Sequence, residues 1–86
     1  MTVEFTPRFE RAYRKLTPEV QARFEEKMRL LIASNLRHPS LRIKKVKGSG
    51  NIWEGSIDMN YRFTFEPIEG GIRLRVIGPH KVVENP

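Results

Sequence analysis

Glu54, Arg62 and His80 are the side chains of this 86-residue chain best suited to moving protons around a phosphate. A carboxylate can take a proton from a hydroxyl. An imidazole, which ordinarily titrates at ~6.5, can give one back to a leaving oxygen near neutrality. A guanidinium between them can steady charge as it builds on phosphorus. Just upstream, Arg42, Lys44, Lys45 and Lys47 place four cations within six positions. A basic surface with an acid–base group set into it is what gripping or cutting a phosphodiester backbone requires. Attack of a ribose 2′-hydroxyl on the neighbouring phosphate needs a base, an acid and cations, and no metal.

Each residue also has a plainer reading. Glu54 and Arg62 could form only a cross-strand ion pair, worth a few tenths of a kcal/mol. His80 could be a loop histidine without a task, and His38 a turn residue beside Pro39. The cations on the first helix (Arg8, Arg11, Arg14) could be a solvated face or touch structured RNA.

Composition narrows the classes. The chain has 16 Lys+Arg against 10 Asp+Glu, a net charge of +6 and a pI near 10.2. That balance favours a polyanion such as nucleic acid, or an acidic protein partner. A membrane is the weakest candidate, because the longest apolar run, Leu30–Ala33, is far too short to span one. With no cysteine, disulfides and thiolate metal sites are excluded. His38 and His80 lie far apart without acidic companions, so neither a metal nor another cofactor is expected. Met1–Phe5 has neither a basic nor an apolar leader segment, and the cytoplasm is the expected address.

The elements that must position these residues can be read from pattern. One domain, residues 1–86, is expected. Val3 and Phe5 alternate as a short strand. Thr6-Pro7 and Thr17-Pro18 are two helix starts, a capping hydroxyl followed by proline at the first helical position. Phe9, Ala12, Tyr13 and Leu16 give the first helix its apolar stripe. Val20, Phe24, Met28, Leu31 and Ile32 give the second, which should end near Asn35. Everything after Pro39-Ser40 reads as strand: Leu41–Lys47, Ile52–Ile57, Tyr61–Glu66 and Ile72–Gly78.

Side-chain parity sets the register. A three-residue loop, Asp58-Met59-Asn60, places Ile57 opposite Tyr61 and Trp53 opposite Phe65, with Trp53 toward the core. Glu54, Ser56, Arg62 and Thr64 then share the outer face. For the next hairpin, Ile72, Leu74 and Val76 are expected opposite Phe65, Phe63 and Tyr61, across a loop holding Pro67 and Gly70. Arg73 and Arg75 would then join the outer face, Arg75 beside Arg62. The expected architecture is α+β: an N-terminal strand and a helical hairpin packed on one face of a mostly antiparallel sheet of four or five strands.

This order of elements resembles the RelE/ParE superfamily of small bacterial toxins from type II toxin–antitoxin systems. The resemblance covers nearly the whole chain and rests on His38-Pro39-Ser40-Leu41-Arg42, Trp53-Glu54, Tyr61-Arg62 and Ile77-Gly78-Pro79-His80. The nearer branch is the RelE, YoeB and YafQ type, ribosome-dependent mRNA endonucleases. The resemblance implies Glu54 as general base on the 2′-hydroxyl, Arg62 as phosphate stabiliser and His80 as acid toward the 5′ oxygen. It also implies that Lys44, Lys45 and Lys47 form a basic strand that holds message and ribosomal RNA, and that a cognate antitoxin is the protein partner; Arg42, Arg73 and Arg75, cations of the same expected surface, are expected to bind RNA with them. The chain departs from the pattern in having no aromatic residue after His80, where many members stack one on a base. Two alternatives belong to the same reading: a ParE-like inhibitor of DNA gyrase, and a non-catalytic homologue that binds antitoxin or RNA only.

Overall fold

The computed structural model describes all residues, 1–86. Both helix starts form as their sequences dictate. Thr6 caps α1 (Pro7–Arg14), its hydroxyl accepting from the Phe9 N–H; Thr17 caps α2 (Pro18–Ser34), accepting from the Val20 N–H. Asn35 closes α2 in the left-handed conformation, φ 52°, which asparagine tolerates better than most residues. Removing the second cap by Thr17→Ala should cost ~1 kcal/mol of stability in a denaturant melt. An unchanged midpoint would show that the cap bond contributes nothing.

The sheet has five strands: β1 (Thr2–Phe5), β2 (Lys44–Lys45), β3 (Trp53–Ser56), β4 (Tyr61–Ile68) and β5 (Gly71–Pro79). Their spatial order is β1-β5-β4-β3-β2, with only the β1–β5 pair parallel. The chain thus enters at one edge, makes its two helices and returns as a meander from the other edge. The helices cover one face. Phe9, Phe24, Leu31, Leu41, Phe63, Phe65 and Leu74 are part of the core between them and the sheet.

The β3–β4 hairpin has the register that parity predicts: Trp53 faces Phe65 and Ser56 faces Arg62, and the Ile57 N–H reaches the Tyr61 carbonyl. Trp53 is half-buried at the margin of the core, its indole N–H donating to the Asn51 side chain at 3.0 Å. Gly55 lies under the Phe63 ring, where a Cβ would come within 2.3 Å of it.

Three expectations are corrected. Leu41–Lys47 is not one strand. Pro39–Leu41 forms a 3₁₀ turn capped by His38, Arg42 takes a left-handed φ of 48°, and only Lys44 and Lys45 pair in the ladder. Pro39 has no N–H to give a ladder, and the fully buried Leu41 draws the chain into the core before the strand can start. The β4–β5 register also differs. Leu74 opposes Phe65, but beyond a bulge Ile77 opposes Phe63 and Pro79 opposes Tyr61. Arg75 is the extra residue, lying between the Thr64–Val76 and Phe65–Leu74 pairs.

The bulge has a physical reason in the adjacent apolar pair Val76-Ile77. In a regular strand Leu74 and Val76 would share the core face and the larger Ile77 would turn to the other. With the slip, Leu74 and Ile77 both enter the core. Val76 goes to the face of Thr64, where a C-terminal 3₁₀ turn, His80–Glu84, packs on β4 and β5. Pro67, expected in the loop, is inside β4, beyond the point where β3 begins, so its missing N–H breaks no ladder there. The loop itself shrinks to Glu69-Gly70, with Gly70 at φ 78°.

Candidate active site

The sheet's outer face carries the candidate chemistry. Glu54 pairs across to Lys44 on β2 and Thr64 on β4. Arg62 pairs with Ser56, which makes Glu54 and Arg62 diagonal neighbours on one face, as expected, at roughly 7–8 Å between backbones. They form no ion pair. Arg62 folds back instead, Nη1 donating to the main-chain oxygens of Asp58 at 2.6 Å and Tyr61 at 3.0 Å. Glu54 is 6% exposed, and Ser56 and Thr64 beside it are also buried.

His80 begins the 3₁₀ turn directly after β5. Its N–H donates to the Asn60 carbonyl at 3.0 Å, which ties it to the β3–β4 loop, and its imidazole is exposed. The structure therefore brings Arg62 and His80 to one end of the outer face. Glu54 lies on the same face, two residues farther from that end along β3.

The cations divide into two groups. Arg42, Lys44, Lys45 and Lys47 are exposed, and none is within ion-pair distance of a carboxylate. Arg73 and Arg75 are different. Arg73 pairs with Glu4 at 3.0 Å and Glu66 at 3.2 Å, and Arg75 pairs with Glu66 at 3.3 Å. The hydrogen bonds that Arg73 donates to Glu4 and then to Glu66 hold its guanidinium above its ordinary pKa. These two arginines are already compensated, and the expected neighbour contact of Arg75 with Arg62 is absent because the bulge sets Arg62 opposite Gly78.

Some parts of the face are not evident from composition. Glu66 is the shared anion that lets two arginines sit together. Asp58 organises the loop: Oδ1 accepts from the Asn60 and Tyr61 N–H groups, and Oδ2 pairs with Arg23 at 3.0 Å. An aspartate opening a three-residue loop was a legible turn signal. The C-terminal segment also crosses this side. Arg8 donates to the Asn85 carbonyl, Arg75 Nε to the Pro86 main-chain oxygen at 3.0 Å, and Thr64 to the same oxygen at 3.4 Å. No grouping of histidine and acidic side chains could hold a metal. No helix is long and apolar enough to cross a membrane.

Solved structures share this architecture over nearly its full length. A chain of the RelB–RelE antitoxin–toxin complex from Methanococcus jannaschii is 23% identical, with a TM-score of 0.76 and 95% of each chain covered. The fold is that of the RelE-type toxins. YafQ from Escherichia coli strain BL21(DE3) superposes at a TM-score of 0.78 with 12% identity, covering 95% of this chain and 96% of that one. The YoeB dimer from Staphylococcus aureus gives 0.76 with 12% identity, over 93% and 97%. No protein-family model matches the chain, and no curated protein matches it. In this fold the helical hairpin covers one face of the sheet, and Glu54, Arg62 and the C-terminal turn lie on the other.

Proposed function

We propose that the chain is the toxin of a type II toxin–antitoxin pair and cleaves messenger RNA on the ribosome without a metal. The observation that carries this reading is the shared outer face. Glu54 and Arg62 lie in diagonal register there, His80 is tied to the same loop as Arg62, and four uncompensated cations stand on the adjoining edge.

In this reading Glu54 takes the proton of a ribose 2′-hydroxyl. The oxygen attacks the adjacent phosphorus, the bond to the 5′ oxygen breaks, and His80 protonates that oxygen as it leaves. The products are a 2′,3′-cyclic phosphate and a 5′-hydroxyl end. Arg62 turns from the Asp58 and Tyr61 carbonyls to the phosphate oxygens, exchanging neutral acceptors for a charged one. Arg42, Lys44, Lys45 and Lys47 hold flanking backbone. The partner is a cognate antitoxin whose acidic segment covers the basic surface; the RelB–RelE and DinJ–YafQ complexes among the structural neighbours support a protein partner of this kind.

Two observations favour the non-catalytic alternative: the 6% exposure of Glu54 and the absence of an aromatic residue after His80. Induced expression separates the readings. Growth arrest that is relieved by Glu54→Ala and by His80→Ala supports the nuclease. Arrest that persists in both variants and responds to gyrase supports a ParE-like inhibitor. Absence of arrest supports a binding-only homologue.

A further inference from the structure

The largest groove of the molecule lies between α1 and the last residues of β5, with a volume of about 430 Å³. Its origin is topological. β1 pairs with β5 only as far as Leu74, and the chain then turns away into α1. Thr6 closes the junction, its N–H donating to the Leu74 carbonyl and its hydroxyl to the Arg75 carbonyl. Beyond that point no main-chain bond joins β5 to α1, and a wedge opens over Val76–Pro79.

Every charged residue lining the wedge is a cation: Arg8, Arg11 and Lys15. Spacings of three and four place them in one row along α1 and its C-terminal cap, Lys15. None is within ion-pair distance of a carboxylate; Arg8 donates only to the Asn85 carbonyl. The groove also reaches Tyr61, the half-buried aromatic at its β4 end. Tyr61 faces Pro79 across the ladder and both line the wedge, which therefore ends at the residues that directly precede Arg62 and His80 in the chain.

We propose that this groove is a path for single-stranded RNA, holding the nucleotides that flank the linkage presented to Arg62 and His80. The proposal deepens the nuclease reading and rests on it for the identity of the strand. A cation row tracks the phosphates while the aromatic ring and the apolar wall receive bases, the combination by which proteins hold single strands without reading their sequence. An acidic peptide would also answer to the cations. The end of the groove at Tyr61 and Pro79, each next in sequence to Arg62 or His80, favours RNA.

The test uses a 2′-O-methyl RNA hexamer, which cannot be cleaved by 2′-hydroxyl attack. Titrated into the isotopically labelled full chain, it is expected to shift the amides of Ala12, Leu16, Tyr61 and Gly78. Anisotropy measured against salt should give a log–log slope about 1.4 smaller for the double variant Arg11→Gln/Lys15→Gln, or ~0.7 for each phosphate no longer neutralised on a single strand. That pair leaves the Arg8 bond to the C-terminal segment intact. Glu54→Gln should lose cleavage and keep the slope. A wild-type chain that fails to bind the hexamer at low salt, shifts confined to other surfaces, or an unchanged slope in the double variant overturns the proposal and leaves the nuclease reading standing. So does a double variant that binds RNA normally but loses an acidic peptide.

Discussion

Glu54→Gln should lower single-turnover cleavage of ribosome-bound message by about 10²–10⁴-fold, the usual contribution of a positioned general base. The amide keeps the size and shape of the carboxylate and removes only its ability to take a proton. Because Glu54 sits on a sheet rung between Lys44 and Thr64, the substitution should leave the ladder in place and the melting temperature within a few degrees. His80→Ala should cost a similar factor. The two together should cost far less than the product, since base and acid serve one displacement. Cleavage by Glu54→Gln at the wild-type rate would remove Glu54 from the mechanism. A large loss accompanied by unfolding would mean that the buried carboxylate is structural. Rescue of growth arrest with an unchanged melt is the expected pairing.

Phe63→Ala should be the most damaging substitution for stability. The ring is fully buried, 5.9 Å from the Phe24 ring and 6.0 Å from that of Phe65. It also roofs Gly55. Truncating a buried phenylalanine typically costs about 3–5 kcal/mol. A small domain has only ~5–15 kcal/mol in all, and each kcal/mol lowers the melting temperature by roughly 4–8 °C at this size.

Gly55 supplies a sharper test of the same contact. A Cβ at position 55 would lie 2.3 Å from the Phe63 ring, so Gly55→Ala forces the ring or the strand to move. In a Phe63→Ala background the obstacle is gone, and Gly55→Ala should cost little. Calorimetry of the two single variants and the double variant should therefore show strong non-additivity. Additive costs would mean that the glycine is required for a reason other than the ring. Because Gly55 stands between Glu54 and Ser56, the Gly55→Ala strand shift should also reduce cleavage.

Much of this architecture was legible because it depends on local rules. Thr-Pro pairs start helices for reasons confined to one turn, and both helices begin where those pairs stand. Alternation over a three-residue loop has only one register that buries Trp53, Ile57, Tyr61, Phe63 and Phe65 together. That register forms, placing Glu54 and Arg62 on one face. Composition alone identified the basic character of the surface.

The tertiary structure decided the rest. Parity carries a strand forward until something interrupts it, and nothing near Arg75 announces a bulge; the slip arises because Val76 and Ile77 each find separate cover once the C-terminal turn packs behind the sheet. That one slip separated Arg75 from Arg62. Long-range pairing then gave Arg73 and Arg75 to Glu4 and Glu66, residues far from them in sequence or across a hairpin. The burial of Glu54 likewise depends on what lies across two ladders. By itself the sequence determined that Glu54 and Arg62 share one face of the sheet. Only the folded chain decided which cations remained uncompensated, because ion pairing is set by proximity in space, and residues remote in the chain supply the partners.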